Sequence, residues 1–334
     1  EEILTVAKYE GFKRNHAGLI KRIINSCFNS NHLMKALSLL IRLYRRLNLP
    51  FATELIALNI GKYGKLVRLF NSLIKVNIEY VQIKPFKEKS KLKIMYFPGC
   101  INNFINPSVK NAVKMVFEAN GFDLIIPDFS CCGIPARSMG DLESFKAHAV
   151  RNLDKIDDDI DYLMTDCASC GAVWKLYSNI LENDYKEKAD RIASKAANIN
   201  ELLLKLDIFI PVNTSENSIK VTYHDPCHLK RFSGVYNEPR EILSKIPGVE
   251  FVEMNDSDKC CGAAGTFCIF QSKISKAISE KKAENIINSG AKVVSTSCPS
   301  CKIGLEQGLL EKDTFIPVLQ PVELLAALYA KKFG

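Results

Sequence analysis

The sequence predicts an α/β fold built as two tandem modules, each a parallel sheet flanked by helices, preceded by an all-helical segment. Three observations carry that prediction. One pattern of cysteines occurs twice at a nearly constant offset. Short apolar runs alternate with stretches of helical periodicity, the order expected of parallel strands joined by helices. Residues 1–80, by contrast, show helical spacing alone.

Taken in order, the first segment (1–89) places Leu33, Leu37, Leu40, Ile41, Tyr44 and Leu47 at intervals that fit packed amphipathic helices. The stretch "VQIKPFKEKS" (81–90) is a charged, proline-containing connector. The first module, 90–208, opens on "KLKIMYF" (91–97), a plausible buried strand. Asn106-Pro107 starts a helix, "SVKNAVKMVFEAN", that Gly121 closes. "FDLIIP" (122–127) is a second strand, followed at once by Cys131-Cys132-Gly133 and a helix to about Leu153. "DYLMT" (161–165) is a third strand, with Cys167 and Cys170 directly after it. "FIPVNTSENS" (209–218) links to the second module, 209–334. There "IKVTYH" (219–224), "VEFVEM" (249–254) and "AKVVST" (291–296) stand before Cys227, Cys260-Cys261 and Cys298 in the same way. A last apolar helix, "PVELLAALYA" (321–330), is expected to pack on the second module. Each module is therefore Rossmann-like.

The cysteines show the duplication directly. Cys100, Cys131, Cys132, Cys167 and Cys170 reappear as Cys227, Cys260, Cys261, Cys298 and Cys301, at offsets of 127, 129, 129, 131 and 131. The flanks repeat too: "TDCASC" (165–170) matches "TSCPSC" (296–301) at four positions, and "YFPGC" (96–100) parallels "YHDPC" (223–227). In a parallel sheet the carboxyl ends of the strands share one edge, where ligands bind. Each five-cysteine set should thus gather at one rim.

Twelve cysteines in a long chain with no secretory signal suggest metal or redox chemistry rather than a disulfide framework. Adjacent cysteines diverge, so a single tetrahedral zinc is served better by a Cys-x-x-Cys turn alone. Five thiolates suit a non-cubane iron–sulfur cluster in which one sulfur bridges two irons, or four ligands plus a spare; zinc stays open as the alternative. Gly133 and Gly262 would permit unusual backbone and let main-chain N–H groups approach the cofactor. Cys27 and Cys268 lie outside the repeat and read as packing residues. His224 and His228 flank Cys227 in "YHDPCHLKR", where the first module has no histidine. They are the candidates for metal ligation, proton shuttling or a hydrogen bond to sulfur, and they make the second module the better candidate for substrate or acceptor chemistry.

Composition excludes other classes. The net charge of +8 is spread over scattered lysines, which gives no basic patch for nucleic acid. No apolar run reaches the ~18–20 residues of a membrane span. Neither a flavin fingerprint nor a nucleophile elbow is present.

These motifs resemble the duplicated cysteine-rich "CCG" domain, over residues 90–334 and with all ten motif cysteines in place. That domain occurs in the iron–sulfur subunit of glycolate oxidase, in D- and L-lactate utilisation proteins, in the C subunit of anaerobic glycerol-3-phosphate dehydrogenase and in the B subunit of heterodisulfide reductase. "HDPCHL", "CCGAAGTF" and "CPSCK" look most like the glycolate oxidase and D-lactate dehydrogenase branch. The resemblance implies one 4Fe-4S cluster per module, cubane or non-cubane, on Cys100, Cys131, Cys132, Cys167 and Cys170, and on Cys227, Cys260, Cys261, Cys298 and Cys301. It implies an electron-transfer part of a flavin-linked 2-hydroxy acid dehydrogenase acting on D-lactate or glycolate. FAD would sit on a partner domain or subunit, and electrons would pass to a quinone or another acceptor. Such a chain would be part of an oxidoreductase rather than active alone, cytoplasmic or peripheral at the inner face of the cell membrane. Two alternatives remain: a heterodisulfide reductase-like enzyme cleaving a disulfide at a non-cubane cluster, and a zinc-binding structural or interaction module. The branch usually carries two ferredoxin motifs upstream, and this sequence has none. The expectation is a fragment of a longer protein, or a partner that carries the ferredoxin-type iron–sulfur domain.

Overall fold

The structure is a computed structural model that describes residues 30–47, 67–72, 78–211, 218–263, 265 and 267–333, with a few isolated positions before residue 67. Helix α1 (Asn31–Arg46) begins where Ser30 accepts a hydrogen bond from the Leu33 N–H, an N-cap that satisfies one of the free amides of the first turn. It is tied to the rest of the chain by Lys35 to Asp128 (2.9 Å) and by Asn31 to the Phe129 carbonyl (3.3 Å). The helix is where periodicity put it, but its apolar stripe is not. Met34, Ser38 and Ile41 are the buried positions, while Leu33, Leu37, Leu40 and Leu47 are exposed. Most of the remaining positions before residue 78 lie outside the described residues.

The first sheet contains β1 (Ile94–Phe97), β2 (Leu124–Ile125), β3 (Tyr162–Thr165) and β4 (Ala196–Asn198), all parallel, in the order β2-β1-β3-β4. β1 is buried along its whole length, as a strand covered on both faces must be. The connecting helices are α2 (Pro107–Ala119), α3 (Ile134–Met139), α4 (Leu142–Leu153), α5 (Ala168–Trp174), α6 (Asn183–Lys195) and α7 (Ile199–Lys205). α2 starts on Pro107, whose missing N–H costs nothing in the first turn, and the chain leaves it through Gly121 at φ +82. A Cβ on Gly121 would lie 2.2 Å from the Glu88 carbonyl oxygen, so the connector over residues 81–90 closes against that turn.

The second sheet repeats the plan with β5 (Ile219–Tyr223), β6 (Val249–Phe251), β7 (Val293–Ser295) and β8 (Val318–Leu319), ordered β6-β5-β7-β8. Its helices are α8 (Glu238–Lys245), α9 (Phe267–Phe270), α10 (Ser272–Asn288), α11 (Pro299–Glu311) and α12 (Pro321–Phe333). Each sheet has a fourth strand beyond the three the sequence suggests. Residues 212–217 of the linker lie outside the described residues.

The two halves share their cores. Buried Ile94, Val113 and Phe117 of the first half cluster with Val221, Val322 and Tyr329 of the second. Helix α12, expected on the second module, packs chiefly against α2 of the first. Ser108 donates to Glu323 (3.0 Å), Asn120 donates to the Tyr329 hydroxyl (3.0 Å), and the Phe86 and Tyr329 rings meet edge-on at 5.3 Å. The apolar run identified the helix correctly; which layer it covers depends on how the halves face each other. No described helix is long and apolar enough to cross a membrane.

Candidate metal centre

Every motif cysteine lies in the segment that follows a strand, from Cys167 two residues after β3 to the Cys260-Cys261 pair that begins nine residues after β6. Cys100 follows β1 and Cys227 follows β5, and each leads directly into a π-helical turn, Ile101–Ile105 and His228–Ser233. Such turns are uncommon and concentrate at functional sites. Cys167 and Cys298 follow β3 and β7 and cap the N-termini of α5 and α11, with Cys170 and Cys301 in the first helical turn. In both sheets the order reverses between the strands that carry these two loops, the switch point where parallel sheets open a crevice.

The Cys-Cys-Gly turns are built on glycine for a steric reason. Gly133 has φ +81 and Gly262 has φ +90, a region that side chains with a Cβ avoid. The Gly133 N–H donates to Cys131 Sγ (3.4 Å) and the Gly262 N–H to Cys260 Sγ (3.3 Å). Gly304 in α11 adds a close approach: a Cβ there would stand 2.6 Å from the Cys261 carbonyl oxygen. The first turn is held by residues without a visible sequence signal. Asn152 donates to the Cys131 carbonyl (3.0 Å) and accepts from the Ser130 N–H (2.9 Å), and the Tyr177 hydroxyl donates to the Cys132 carbonyl (2.8 Å). His148 is buried beside the same turn, its Nδ1 3.3 Å from Ser130 Oγ.

Each half was expected to gather its own five sulfurs. The structure joins both sets: a single cavity of about 540 Å³ is lined by all ten motif cysteines. Cys170 Sγ lies 3.4 Å from Cys132 Sγ, and the string continues across the halves, where Ser169 Oγ lies 3.5 Å from Cys298 Sγ. The Ala168 N–H donates to the Ser297 carbonyl (2.9 Å), which locks the two Cys-x-x-Cys loops together. Cys268, read from sequence as a packing residue, is half-buried on the wall of this cavity, with its Sγ 3.2 Å from the Gly265 carbonyl oxygen. Cys27 lies outside the described residues.

The halves differ in access. Cys131, Cys132, Cys167 and Cys170 are buried and Cys100 is half-buried, whereas Cys227 and Cys260 are exposed. Electrostatics divides the thiols as well. Hydrogen bonds with Cys100 and then Cys132 draw Cys131 well below the ordinary thiol range. Cys260 and Cys301 do this for Cys261, and Cys167 and Cys301 for Cys298. The neighbours of these three rise in turn: Cys100, Cys132 and Cys260 are raised chiefly by the thiol each one faces. A buried array with three readily ionised sulfurs is suited to cationic metal, because thiolate rather than thiol is the ligand.

Of the two histidines, His224 is 1% exposed; its ring nitrogens have no nitrogen or oxygen partner and face the Cys261 thiol, which His224 helps to hold below the ordinary thiol range. His228 stands at the cavity wall, its Nδ1 3.1 Å from Ser169 Oγ of the first half. Lys230 pairs with Asp258 (3.2 Å) and Arg231 is exposed. Arg240, which the sequence did not single out, forks onto buried Asp225 at 2.8 Å through each of its terminal nitrogens and reaches Glu253 at 2.7 Å. Ten soft sulfur donors and an imidazole facing one of them around one cavity fit a sulfur-bound metal group.

The cysteine-rich domain family named CCG matches residues 94–175 and 221–306, half of the chain, and the chain belongs to that family. The B subunit of the CoM/CoB fumarate reductase of Methanothermobacter marburgensis is 34% identical over 71% of this chain and 47% of its own length. The probable glycolate oxidase iron-sulfur subunit of Bacillus subtilis is 29% identical over 66% of this chain and 50% of its own length. The D subunit of the dihydromethanophenazine:CoB–CoM heterodisulfide reductase of Methanosarcina barkeri is 28% identical over 82% of this chain and 70% of its own length. The chain spans about half the length of the first two of these relatives.

Proposed function

We propose that this chain is an iron–sulfur electron-transfer part of a larger oxidoreductase, with residues 90–208 and 209–334 as two modules behind the helical segment 1–89. Cys100, Cys131, Cys132, Cys167 and Cys170 would hold one 4Fe-4S group, and Cys227, Cys260, Cys261, Cys298 and Cys301 the other. The observation that carries this reading is the convergence of all ten thiols on one cavity at the strand ends. When bound, such groups take up and release single electrons, at potentials set by burial and by hydrogen bonds to sulfur. The chain's own part is to fix the thiols: the Gly133 and Gly262 amides point at cysteine sulfur, and Asn152 and Tyr177 hold the first Cys-Cys turn. The glycolate oxidase relative supports the finer reading, in which a partner flavoprotein oxidises a 2-hydroxy acid and electrons leave towards a quinone or another acceptor.

A second reading draws on the exposure of Cys227 and Cys260. They open the cavity to a small molecule on the second half, as an enzyme acting on a disulfide would need. The heterodisulfide reductase relative points the same way.

Iron and acid-labile sulfide, measured on protein purified and reconstituted without oxygen, test the proposal. About four irons and four sulfides per half are expected for two 4Fe-4S groups. Stoichiometric zinc with no iron would replace it by a structural zinc module. Disulfide turnover by the reduced, iron-loaded chain would favour the second reading over the first.

A further inference from the structure

The two halves share one plan, and the position three residues before the first cysteine of each set differs in a way that bears on metal. Phe97 of "YFPGC" and His224 of "YHDPC" occupy the same place, directly before the loop that leads to the first cysteine of each set. In the first half this place is apolar: the Phe97 ring packs on Phe129 at 4.9 Å and on Trp174 at 5.2 Å. In the second half it is an imidazole with a ring nitrogen within 4.8 Å of Cys261 Sγ and Cys301 Sγ, the three ligand atoms being mutually that close. Among the described residues this is the one cluster of three such ligand atoms.

Burying both nitrogens of an imidazole with no nitrogen or oxygen partner is costly, and the group that the His224 ring does face is the Cys261 thiol, which it helps to hold low. The residue is nonetheless firmly placed. The His224 backbone N–H donates to the Ser295 carbonyl (2.8 Å), and Thr296 Oγ1 donates to the His224 carbonyl (3.2 Å). The next residue is clamped by the Asp225 N–H to the Ser257 carbonyl (3.0 Å) and by the Arg240 fork. A neutral imidazole has one lone pair to offer, and two soft sulfur donors lie beside it.

We propose that His224 is a nitrogen ligand of the metal group in the second half, giving that half a mixed nitrogen–sulfur donor set with Cys261 and Cys301 where the first half offers thiols alone. The inference rests on the proposed function in one respect, that metal binds in this cavity. It makes the two groups chemically unequal, because an imidazole that takes the place of one of the five thiolates, leaving that cysteine as a spare, raises the potential of an iron–sulfur centre. The group of higher potential would then belong to the half whose cysteines reach solvent.

The test uses the full chain, reconstituted with iron and sulfide under anaerobic conditions, in natural-abundance and ¹⁵N-histidine forms. Pulsed electron paramagnetic resonance of the partly reduced protein should show a directly coupled nitrogen that changes from the ¹⁴N to the ¹⁵N pattern with the label. That coupling should vanish in His224→Phe, which copies the first half, and persist in His148→Gln and His228→Ala. His224→Cys should retain iron and lower the potential of one group. Because the labelled wild-type chain carries the main readout, the test does not depend on the folding of any variant. Iron in both halves with no histidine coupling, or a coupling that survives His224→Phe, overturns the inference and leaves the proposed function standing. A chain that takes up no iron overturns both.

Discussion

At the scale of single residues, the Cys-Cys-Gly turns give the sharpest expectations. Gly262 sits at φ +90, and a Cβ there would stand 2.6 Å from the Ser275 carbonyl oxygen, which is backbone and cannot swing aside. Gly262→Ala should cost about 2–3 kcal/mol of stability in urea unfolding and empty the second half of metal first. At Gly133 the same change meets the Phe145 and His148 side chains instead, so loss of metal should fall on the first half. Asn152→Ala removes the donor to the Cys131 carbonyl; about 1–3 kcal/mol and a faster release of iron from the first half are expected, read by the absorbance of the iron–sulfur chromophore over time. The thiols and these two glycines were legible in the sequence because they repeat at a fixed offset. Asn152, Tyr177 and Arg240 were not, because each acts on a loop well away in sequence and carries no local pattern.

At the scale of elements, α11 joins the site to the amino-terminal region. It begins just after Cys298, carries Cys301, and further along presents Glu306, which accepts a hydrogen bond from Ser72 Oγ (2.8 Å) and lies 3.8 Å from Lys302 Nζ. Burial pushes the Glu306 carboxyl from its ordinary 4.5 up to about 7. The folded chain therefore holds this proton more tightly than the unfolded chain does. The associated stability is complete below pH 4.5 and is lost as pH rises to about 7. Glu306→Gln should flatten that slope and raise stability at pH 8 relative to wild type by up to about 3 kcal/mol. Urea unfolding at pH 5 and pH 8 reads it directly. Strand legibility follows composition. β1, β3 and β5 come from apolar runs rich in Ile, Val, Leu and aromatic residues, whereas β4 is Ala-Ala-Asn and β8 only two residues long, which no strand propensity marks. The face of α1 misled for a related reason: periodicity fixes a helix, and the side it buries is chosen by neighbours distant in sequence.

At the scale of the whole molecule, the duplication produces one shared cavity lined by both sets of cysteines. Sequence predicted two rims, and the offsets do predict two equivalent sheets. What joins them is tertiary: the Ala168 amide on the Ser297 carbonyl, the Asn200 side-chain amide on Ser297 Oγ at 2.8 Å, and α12 against α2. The halves should therefore unfold as one unit. Tyr329→Phe, which removes the acceptor for Asn120 in the seam far from the cysteines, should lower stability by about 1–2 kcal/mol without splitting the transition in two, followed by circular dichroism and tryptophan fluorescence together.

The most direct test is iron and sulfide stoichiometry of three anaerobically reconstituted chains: wild type, Cys131→Ser with Cys132→Ser, and Cys260→Ser with Cys261→Ser. The account predicts two iron–sulfur groups in the first chain and one in each of the others. An unaltered iron content in either double variant, or a wild-type chain that binds zinc and no iron, would contradict it.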